Sequence, residues 1–264
     1  MSGFTLHSRN GLQWLTADVL PARHLFTTRT GGVSRGIYES LNLGGSRGDE
    51  PQAVLENWRR LSDAVGFDLT RAVRVNQVHG ATVHVACAGQ AVGPLGPGVC
   101  EADAIVTAQP GLPVLVLIAD CVPVLLHDPQ AGVGAAAHCG WRSATADILG
   151  KTVEAMERLG ARRERLCAAV GPAIGPCCFE TGPEVHEALL DWLGTDEELA
   201  RPAAAPGKYL LDLPGANRLR LLQLGLRPEH VALRRECTRC NPARYWSHRR
   251  SGAARGTQAA ILVL

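Results

Sequence analysis

The stretch LIADCVPVLLHD, residues 117–128, decides how the chain is expected to fold. Its apolar run predicts a buried β-strand over residues 114–126, and GVGAAAHC, residues 132–139, predicts a neighbouring strand across the turn DPQA. Asp120 and Cys121 interrupt the apolar run side by side. A carboxylate is costly to bury without a partner. A buried cysteine is either a small hydrophobic residue or a thiolate that binds or attacks a ligand.

The register of this hairpin predicts which side chains meet. With a four-residue loop at 128–131, Cys121 lies opposite His138 on one sheet face, with Cβ atoms about 5 Å apart. Alternation turns Asp120 to the other face, where a structural partner such as an arginine is expected. His79 ends another predicted strand. Two imidazoles and one thiolate suit zinc with its fourth position open, although each residue by itself is more often structural.

Composition excludes several classes of protein. The 264 residues are 46% hydrophobic, enough to bury the core of one large domain or two small ones. The near balance of 27 basic and 25 acidic residues gives no bulk charge for binding nucleic acid or a membrane. The N-terminus lacks a signal-peptide pattern, and the longest apolar run is too short to span a bilayer. Nine cysteines, an odd number, favour reduced thiols and a cytoplasmic location.

Strand and helix patterns alternate along the chain. Apolar residues at helical spacing predict helices over residues 51–65, 143–159, 183–193 and 214–224. Further strands are predicted over residues 72–80, 81–86, 165–172, 230–237 and 259–264, and loops over 27–36 and 91–99. This mixture predicts an α/β (or α+β) class, with a mixed sheet layered by helices.

Several short motifs, taken in order, resemble the YfiH-type laccase-domain family. They are TTRTGGVSRG and SLNLG near the start, then VNQVHG, ADCVPVLL, AAHCGWRS, GPAIGPCCFE and the C-terminal CT…WSHRR. The resemblance runs from about residue 20 to the C-terminus. It implies a three-layer α/β/α sandwich with a mixed sheet, a single domain over residues 1–264, and a monomer. It also implies one zinc bound by His79, Cys121 and His138, which would serve as the catalytic residues.

The resemblance also implies an activity. The family was first described as polyphenol oxidases (laccases) and is now associated with purine nucleoside chemistry. This chain is accordingly expected to be a zinc-dependent purine nucleoside phosphorylase that uses phosphate with adenosine, inosine and methylthioadenosine. Deamination of adenosine is a second expected activity, because zinc can activate water for attack on the purine ring.

Cationic side chains are the candidates for holding phosphate. Arg142 ranks first because it directly precedes a predicted helix, whose N-terminus adds donors. Arg29 in the glycine-rich loop ranks second, and Arg249 third, alongside Arg250. An ion pair or a bond to a carbonyl is the competing interpretation for these arginines. Asp103 in EADAIVT is expected either to contact a polar substrate group or to cap a loop.

The chain departs from the family pattern at three places. Cys139 stands beside His138, but alternation turns it to the opposite face, so it is not counted as a ligand. His248 stands in SHRR where the family has tyrosine, and RGT at residues 255–257 displaces an arginine by two positions. CTRC at 237–240 suggests a zinc knuckle or a redox pair, but there is no second CxxC. A separate metal site is therefore not expected at CTRC, and loop packing is expected for Cys177 and Cys178 in GPCCFE.

Two other enzyme classes and one non-enzymatic class remain open. A copper polyphenol oxidase would have to use His79, Cys121 and His138, because no two of the nine histidines form the His-x-His pair of a multicopper centre. A cysteine hydrolase that edits peptidoglycan precursors would use Cys121 as nucleophile and His138 as base. A module that only binds purine nucleosides is the third class. The zinc-deaminase motifs H-x-E and P-C-x-x-C are absent from the sequence.

Overall fold

Fourteen β-strands and six α-helices are formed by residues 3–46 and 48–264, the part of the chain that the computed structural model describes. The strands are β1 (Phe4–Arg9), β2 (Leu12–Ala17), β3 (Arg23–Thr27), β4 (Val83–Val85), β5 (Ala104–Thr107), β6 (Pro113–Ile118), β7 (Val122–Asp128), β8 (Val133–Cys139), β9 (Cys167–Val170), β10 (Glu180–Thr181), β11 (Ala200–Pro202), β12 (Tyr209–Leu211), β13 (Val231–Leu233) and β14 (Gln258–Val263). The helices are α1 (Pro51–Val65), α2 (Trp141–Thr145), α3 (Ile148–Arg158), α4 (Pro183–Leu193), α5 (Leu213–Gln223) and α6 (His248–Ser251).

The strands form two large sheets and one small one. The first is antiparallel, with the five strands in the order β1-β2-β3-β14-β6. The second has six strands in the order β13-β9-β7-β8-β5-β4 and is mixed, because β13 and β4 run parallel to their neighbours. The third consists of β10, β12 and β11. The predicted α/β class with a mixed sheet is confirmed.

Alternation along the strands sorts the side chains into layers. In β14, Ala259 and Ile261 pack with α1, while Ala260 and Leu262 face the six-stranded sheet. The other face of the mixed sheet packs against α3, α4 and α5. The layers therefore run α1, antiparallel sheet, mixed sheet, helices. The middle of the predicted sandwich thus consists of two sheets packed face to face, with helices on both outer sides.

The stretch 114–126 is not the single strand that the sequence predicts. It is divided between β6, which pairs with β14 in the first sheet, and β7, which pairs with β8 and β9 in the second. The chain crosses from one sheet to the other at residues 119–121, and Asp120 has a left-handed backbone with φ of 86°. An apolar run shows that both segments are buried, but it cannot show that they lie in different sheets.

The hairpin of β7 and β8 is confirmed, but its predicted register is wrong. Pro123, not Cys121, lies opposite His138. Asp128 pairs with Val133 and accepts hydrogen bonds from the backbone N–H groups of Gln130 and the following residue, so the loop begins one residue later than predicted. The pairing is displaced by two positions, which leaves the side chains of β7 and β8 on their predicted faces.

Two of the predicted helices have the expected extent, whereas other elements differ. The helices over 51–65 and 183–193 have their predicted bounds. The helix predicted over 143–159 is broken into α2 and α3 at Asp147, whose φ is 60°. Residues 72–80 form only isolated bridges instead of a strand. Within the described part of the chain, no helix is long and apolar enough to cross a membrane.

Substitution of Ile261 by alanine tests the packing of α1 on the antiparallel sheet. Ile261 is fully buried in β14, so Ile261→Ala is expected to lower the free energy of unfolding by about 2–5 kcal/mol. Ile37→Ala is the matched control, because Ile37 is 56% exposed, and its effect is expected to stay within about 0.5 kcal/mol. Urea denaturation measures both. Equal effects would contradict the layer assignment.

Candidate metal centre and adjoining cavity

Three candidate metal ligands meet where the chain crosses between the two sheets. One ligand atom from each of His79, Cys121 and His138 lies within 4.8 Å of the others, and the two imidazole centroids are 4.9 Å apart. His79 comes from the loop before β4, Cys121 from the crossing, and His138 from the end of β8. Cys139 is buried in the core beneath the helices, on the face that alternation predicts.

Side-chain hydrogen bonds hold the loop that carries His79 in place, although this segment does not form a β-strand. The side-chain amide of Gln77 exchanges two hydrogen bonds of 2.7 Å with the backbone of Leu117. The carboxylate of Asp103 accepts hydrogen bonds from the backbone N–H groups of residues 78, 79 and 80. His79 itself has a φ of 59°, a strained backbone for a residue with a Cβ. These bonds fix the direction of its imidazole.

Asp103 also orients His138. Its Oδ1 lies 2.8 Å from Nδ1 of His138, which leaves Nε2 as the ligating nitrogen of that ring. Burial raises the pKa of the Asp103 carboxyl, but the hydrogen bond and the charge of His138 outweigh it and hold the pKa below its usual value. The side chain is fully buried and both oxygens are occupied. Asp103 therefore offers no exposed surface for the substrate contact considered above.

The surroundings shift the pKa values of the two imidazoles in opposite directions. Burial lowers the pKa of His138, but the charge of Cys121 and the bond to Asp103 outweigh it and raise the pKa to about 9. Burial and the neighbouring His138 lower the pKa of His79, which favours its neutral form. A neutral imidazole is the form that binds a metal.

Gly140 leaves the space in which these side chains approach one another. A Cβ at residue 140 would lie 2.8 Å from Nδ1 of His79 and 3.2 Å from Sγ of Cys121. The glycine of the AHCGWR motif is thus required by a close approach. Two imidazoles and one thiolate fit zinc in an open site, and the same donors also accept copper.

Asp120 has partners that the sequence analysis did not find. Its carboxylate accepts hydrogen bonds of 2.6 Å from Oγ1 of Thr238, 3.0 Å from Oγ of Ser247 and 2.6 Å from the backbone N–H of Arg249. An arginine is therefore a partner of Asp120, as predicted, but it donates its backbone N–H. The guanidinium of Arg249 donates instead to the carbonyl oxygens of Cys178 and Glu180. The bonds to Asp120 attach the C-terminal segment to the crossing that carries Cys121.

A cavity of about 550 Å³ opens beside the three candidate ligands, which all line it. Apolar side chains form part of its wall, namely Leu117, Ile118, Trp141, Ile174, Phe179 and Leu213. Three arginines also line it, namely Arg74, Arg249 and Arg255. Asp120 is the one carboxylate among the described lining residues, and three hydrogen bonds already satisfy it. The cavity is therefore electropositive and has the size of a small-ligand site.

Two of these arginines were not predicted to face the site. Arg74 lies in the predicted strand before His79. The only sign in the sequence that it faces the site is that a charged residue stands among alternating apolar residues. Its Nε is buried and has no hydrogen-bond partner among the described residues. Arg255 belongs to the displaced RGT motif, and it is nevertheless buried and lines the cavity. His248, the other departure from the family pattern, lines the cavity too.

The structure does not bring Arg29 or Arg142 into the cavity wall. Arg29 stacks on Trp246, with its guanidinium carbon 3.7 Å from the ring centroid, and donates to the carbonyl oxygens of Glu39 and Pro242. Arg142 is exposed and stacks on Trp141 at 4.2 Å. It lies inside the five-residue helix α2 instead of before a long helix. Arg249, the third candidate, lines the cavity and donates to the carbonyl oxygens of Cys178 and Glu180.

Comparison with known proteins identifies the family. A family model described as multi-copper polyphenol oxidoreductase laccase matches residues 23–264. The chain therefore belongs to this family of laccase-like domains, the one that its sequence motifs resemble.

Individual relatives are similar over nearly the whole chain. A purine nucleoside phosphorylase of Deinococcus radiodurans is 42% identical over 260 residues, which cover 96% of this chain and 94% of the relative. The crystal structure of YlmD from Geobacillus stearothermophilus matches with a TM-score of 0.92 at 34% identity, and covers 100% of this chain and 99% of YlmD. That of Bacillus licheniformis YfiH, a hypothetical protein, matches with a TM-score of 0.92 at 26% identity, covering 99% and 98%.

Substitution of Gly140 tests whether the three side chains hold a metal. The added Cβ of Gly140→Ala would press on His79 and Cys121, so zinc content is expected to fall to that of Cys121→Ser. Gly93→Ala is the control, because a Cβ at Gly93 would meet no described atom within 4 Å. Metal analysis after gel filtration measures the zinc. Full zinc content in Gly140→Ala would contradict the assignment of these ligands.

Substitution of Asp103 tests the support of His138. Asp103→Asn replaces an acceptor by an amide and weakens the bond to Nδ1, so zinc affinity is expected to fall roughly 10–100-fold. Competition with a chelator measures the affinity. Asp63→Asn is the control, because the Asp63 side chain is 63% exposed on α1. An unchanged affinity in Asp103→Asn would show that the bond does not support the metal.

Proposed function

We propose that this protein is a zinc-dependent purine nucleoside phosphorylase whose active site is the cavity beside His79, Cys121 and His138. The observation that carries the proposal is the set of three arginines facing a cavity next to a His–Cys–His cluster. Phosphate requires such cationic donors, whereas a phenol does not. The names of the relatives as purine nucleoside phosphorylases support the same activity.

Arg74, Arg249 and Arg255 are the proposed phosphate-binding residues. Each guanidinium has five N–H donors, so Arg249 keeps donors for phosphate beyond those used for two carbonyl oxygens. A bound anion would also give the buried Nε of Arg74 an acceptor. Arg29 and Arg142 are proposed to be structural instead, since each stacks on a tryptophan.

The purine nucleoside is proposed to lie against the apolar wall that includes Trp141 and Phe179. There an oxygen of hydrogen phosphate attacks C1′ of the ribose and the bond from C1′ to the purine nitrogen breaks, which gives ribose 1-phosphate and the free base, with the proton of the hydrogen phosphate ending on the base. Zinc, held by His79, Cys121 and His138, would supply Lewis-acid stabilisation of developing negative charge. Asp103 keeps His138 in the required tautomer. Adenosine, inosine and methylthioadenosine are the proposed substrates.

The same cavity is proposed to belong to one domain over residues 1–264, since its wall draws on residues from Gly44 to Thr257. A monomer is proposed, as the resemblance of the sequence motifs implies. The location is proposed to be the cytoplasm, where the nine cysteines, all free in the structure, would stay reduced. Deamination of adenosine is a second proposed activity, because the cavity opens directly onto the three ligands.

Release of free base tests the proposal. Purified protein with adenosine, inosine or methylthioadenosine is expected to release base only when phosphate is present, as followed by chromatography. His79→Ala and His138→Ala are expected to abolish the release, and ammonia formation reports deamination. Base release that needs no phosphate, or phenol oxidation that scales with added copper without base release, would contradict the proposal. A fully active metal-free protein would favour a cysteine hydrolase with Cys121 as nucleophile.

Substitution of Arg74 tests the phosphate site. Loss of its charge-assisted hydrogen bonds in Arg74→Ala is expected to raise the KM for phosphate roughly 10–100-fold. The KM for the nucleoside should change little, because the proposed base site lies against the apolar wall. Arg71→Ala is the nearby control, since Arg71 is exposed and donates to the carbonyl oxygen of Pro110. An equal rise in both KM values would indicate that Arg74 only shapes the cavity.

A further inference from the structure

A cluster of four thiols joins the loop that precedes Phe179, a residue of the cavity wall, to the loop over residues 237–240. The Sγ atoms of Cys177, Cys178, Cys237 and Cys240 all lie within 4.8 Å of one another. The sequence motifs alone do not indicate that these two pairs of cysteines meet. We propose that the four cysteines bind a structural zinc ion, distinct from the metal at His79, Cys121 and His138.

The spacing of the sulfur atoms fits a shared metal. Sγ of Cys240 lies 3.5 Å from that of Cys177 and 3.4 Å from that of Cys178. Four thiolates about 2.3 Å from a tetrahedral zinc lie roughly 3.8 Å from one another. A disulfide requires about 2.05 Å. One disulfide would also leave two of the four thiols without a role, whereas a metal uses all of them.

The local backbone explains how adjacent cysteines can converge. Residues 176–178 form a turn in which the N–H groups of Cys178 and Phe179 both donate to the carbonyl oxygen of Gly175. In a strand, neighbouring side chains would point to opposite faces, but a turn removes this restriction. A Cβ at Gly175 would lie 3.3 Å from Cβ of Cys237, so the glycine lets the two loops pack closely.

Charge and exposure also suit a thiolate site. Nη1 of Arg239 lies 3.3 Å from Sγ of Cys178, which places a positive charge beside the four sulfur atoms. Arg239 would offset part of the negative charge of a four-thiolate zinc. Two of the cysteines are buried and two are exposed, which leaves a path by which the metal can enter.

The position of the cluster gives the ion a structural role. The Cys237–Cys240 loop also carries Thr238, which bonds Asp120, and the other loop accepts a hydrogen bond from Arg249 at the carbonyl oxygen of Cys178. A zinc ion that joins the loops would therefore hold the cavity wall against the crossing. The proposal does not depend on the reaction assigned to the cavity, because the zinc ion would be bound by cysteines outside the group His79, Cys121 and His138.

Metal analysis tests this site on protein purified under reducing, oxygen-free conditions. The unaltered chain is expected to bind two zinc ions, and Cys121→Ser and Cys240→Ser one each. The double variant Cys121→Ser/Cys240→Ser is expected to bind none. Cys87→Ser is the control and should keep both, because Cys87 is exposed and lies outside either cluster. A single zinc that disappears in Cys121→Ser would overturn the proposal.

X-ray absorption at the zinc edge identifies the ligands directly. The zinc kept by Cys121→Ser should show four sulfur neighbours at about 2.3 Å and no nitrogen. Cys240→His guards against a misfolded serine variant, since it should keep both ions while one sulfur is replaced by nitrogen. A zinc in Cys121→Ser with nitrogen neighbours, or a Cys178–Cys240 disulfide in the oxygen-free protein, would contradict the site.

Discussion

The structure depends on the crossing of the chain from the antiparallel sheet to the mixed sheet at residues 119–121. The crossing buries the carboxylate of Asp120, which is only 7% exposed. Hydrogen bonds from Thr238, Ser247 and the backbone of Arg249 offset the cost of removing that charge from water. Because these donors follow Asp120 by more than a hundred residues, the same bonds fix the C-terminal segment that walls the cavity.

A second buried carboxylate completes this arrangement. Asp103 accepts hydrogen bonds from three successive backbone N–H groups around His79 and also holds the ring of His138. Two of the three proposed metal ligands, His79 and Cys121, therefore stand on irregular backbone, yet the charge-assisted hydrogen bonds of Asp103 and Asp120 fix the segments that carry them. The absence of a side chain at Gly140 then allows His79 and Cys121 to approach each other.

The positive charge of the cavity distinguishes the proposed phosphorylase activity from a laccase activity. The family description names a laccase, whereas the curated relatives are named purine nucleoside phosphorylases. A cavity with three arginines and one satisfied carboxylate is suited to an anionic reactant such as phosphate. The proposed zinc ion at the four cysteines would stabilise the same cavity wall, because it would join the loop that carries Phe179 to the loop that carries Thr238.

The sequence by itself determined the local features. Helices 51–65 and 183–193, the β7–β8 hairpin and the buried position of Cys139 follow from periodicity, because apolar spacing reports which face is buried. Family motifs singled out His79, Cys121 and His138, which the structure brings together. Tertiary structure alone decided that residues 114–126 serve two sheets, that Arg74 and Arg255 share one cavity, and that four cysteines from two loops meet. These outcomes depend on packing between segments remote in sequence, about which local periodicity carries no information.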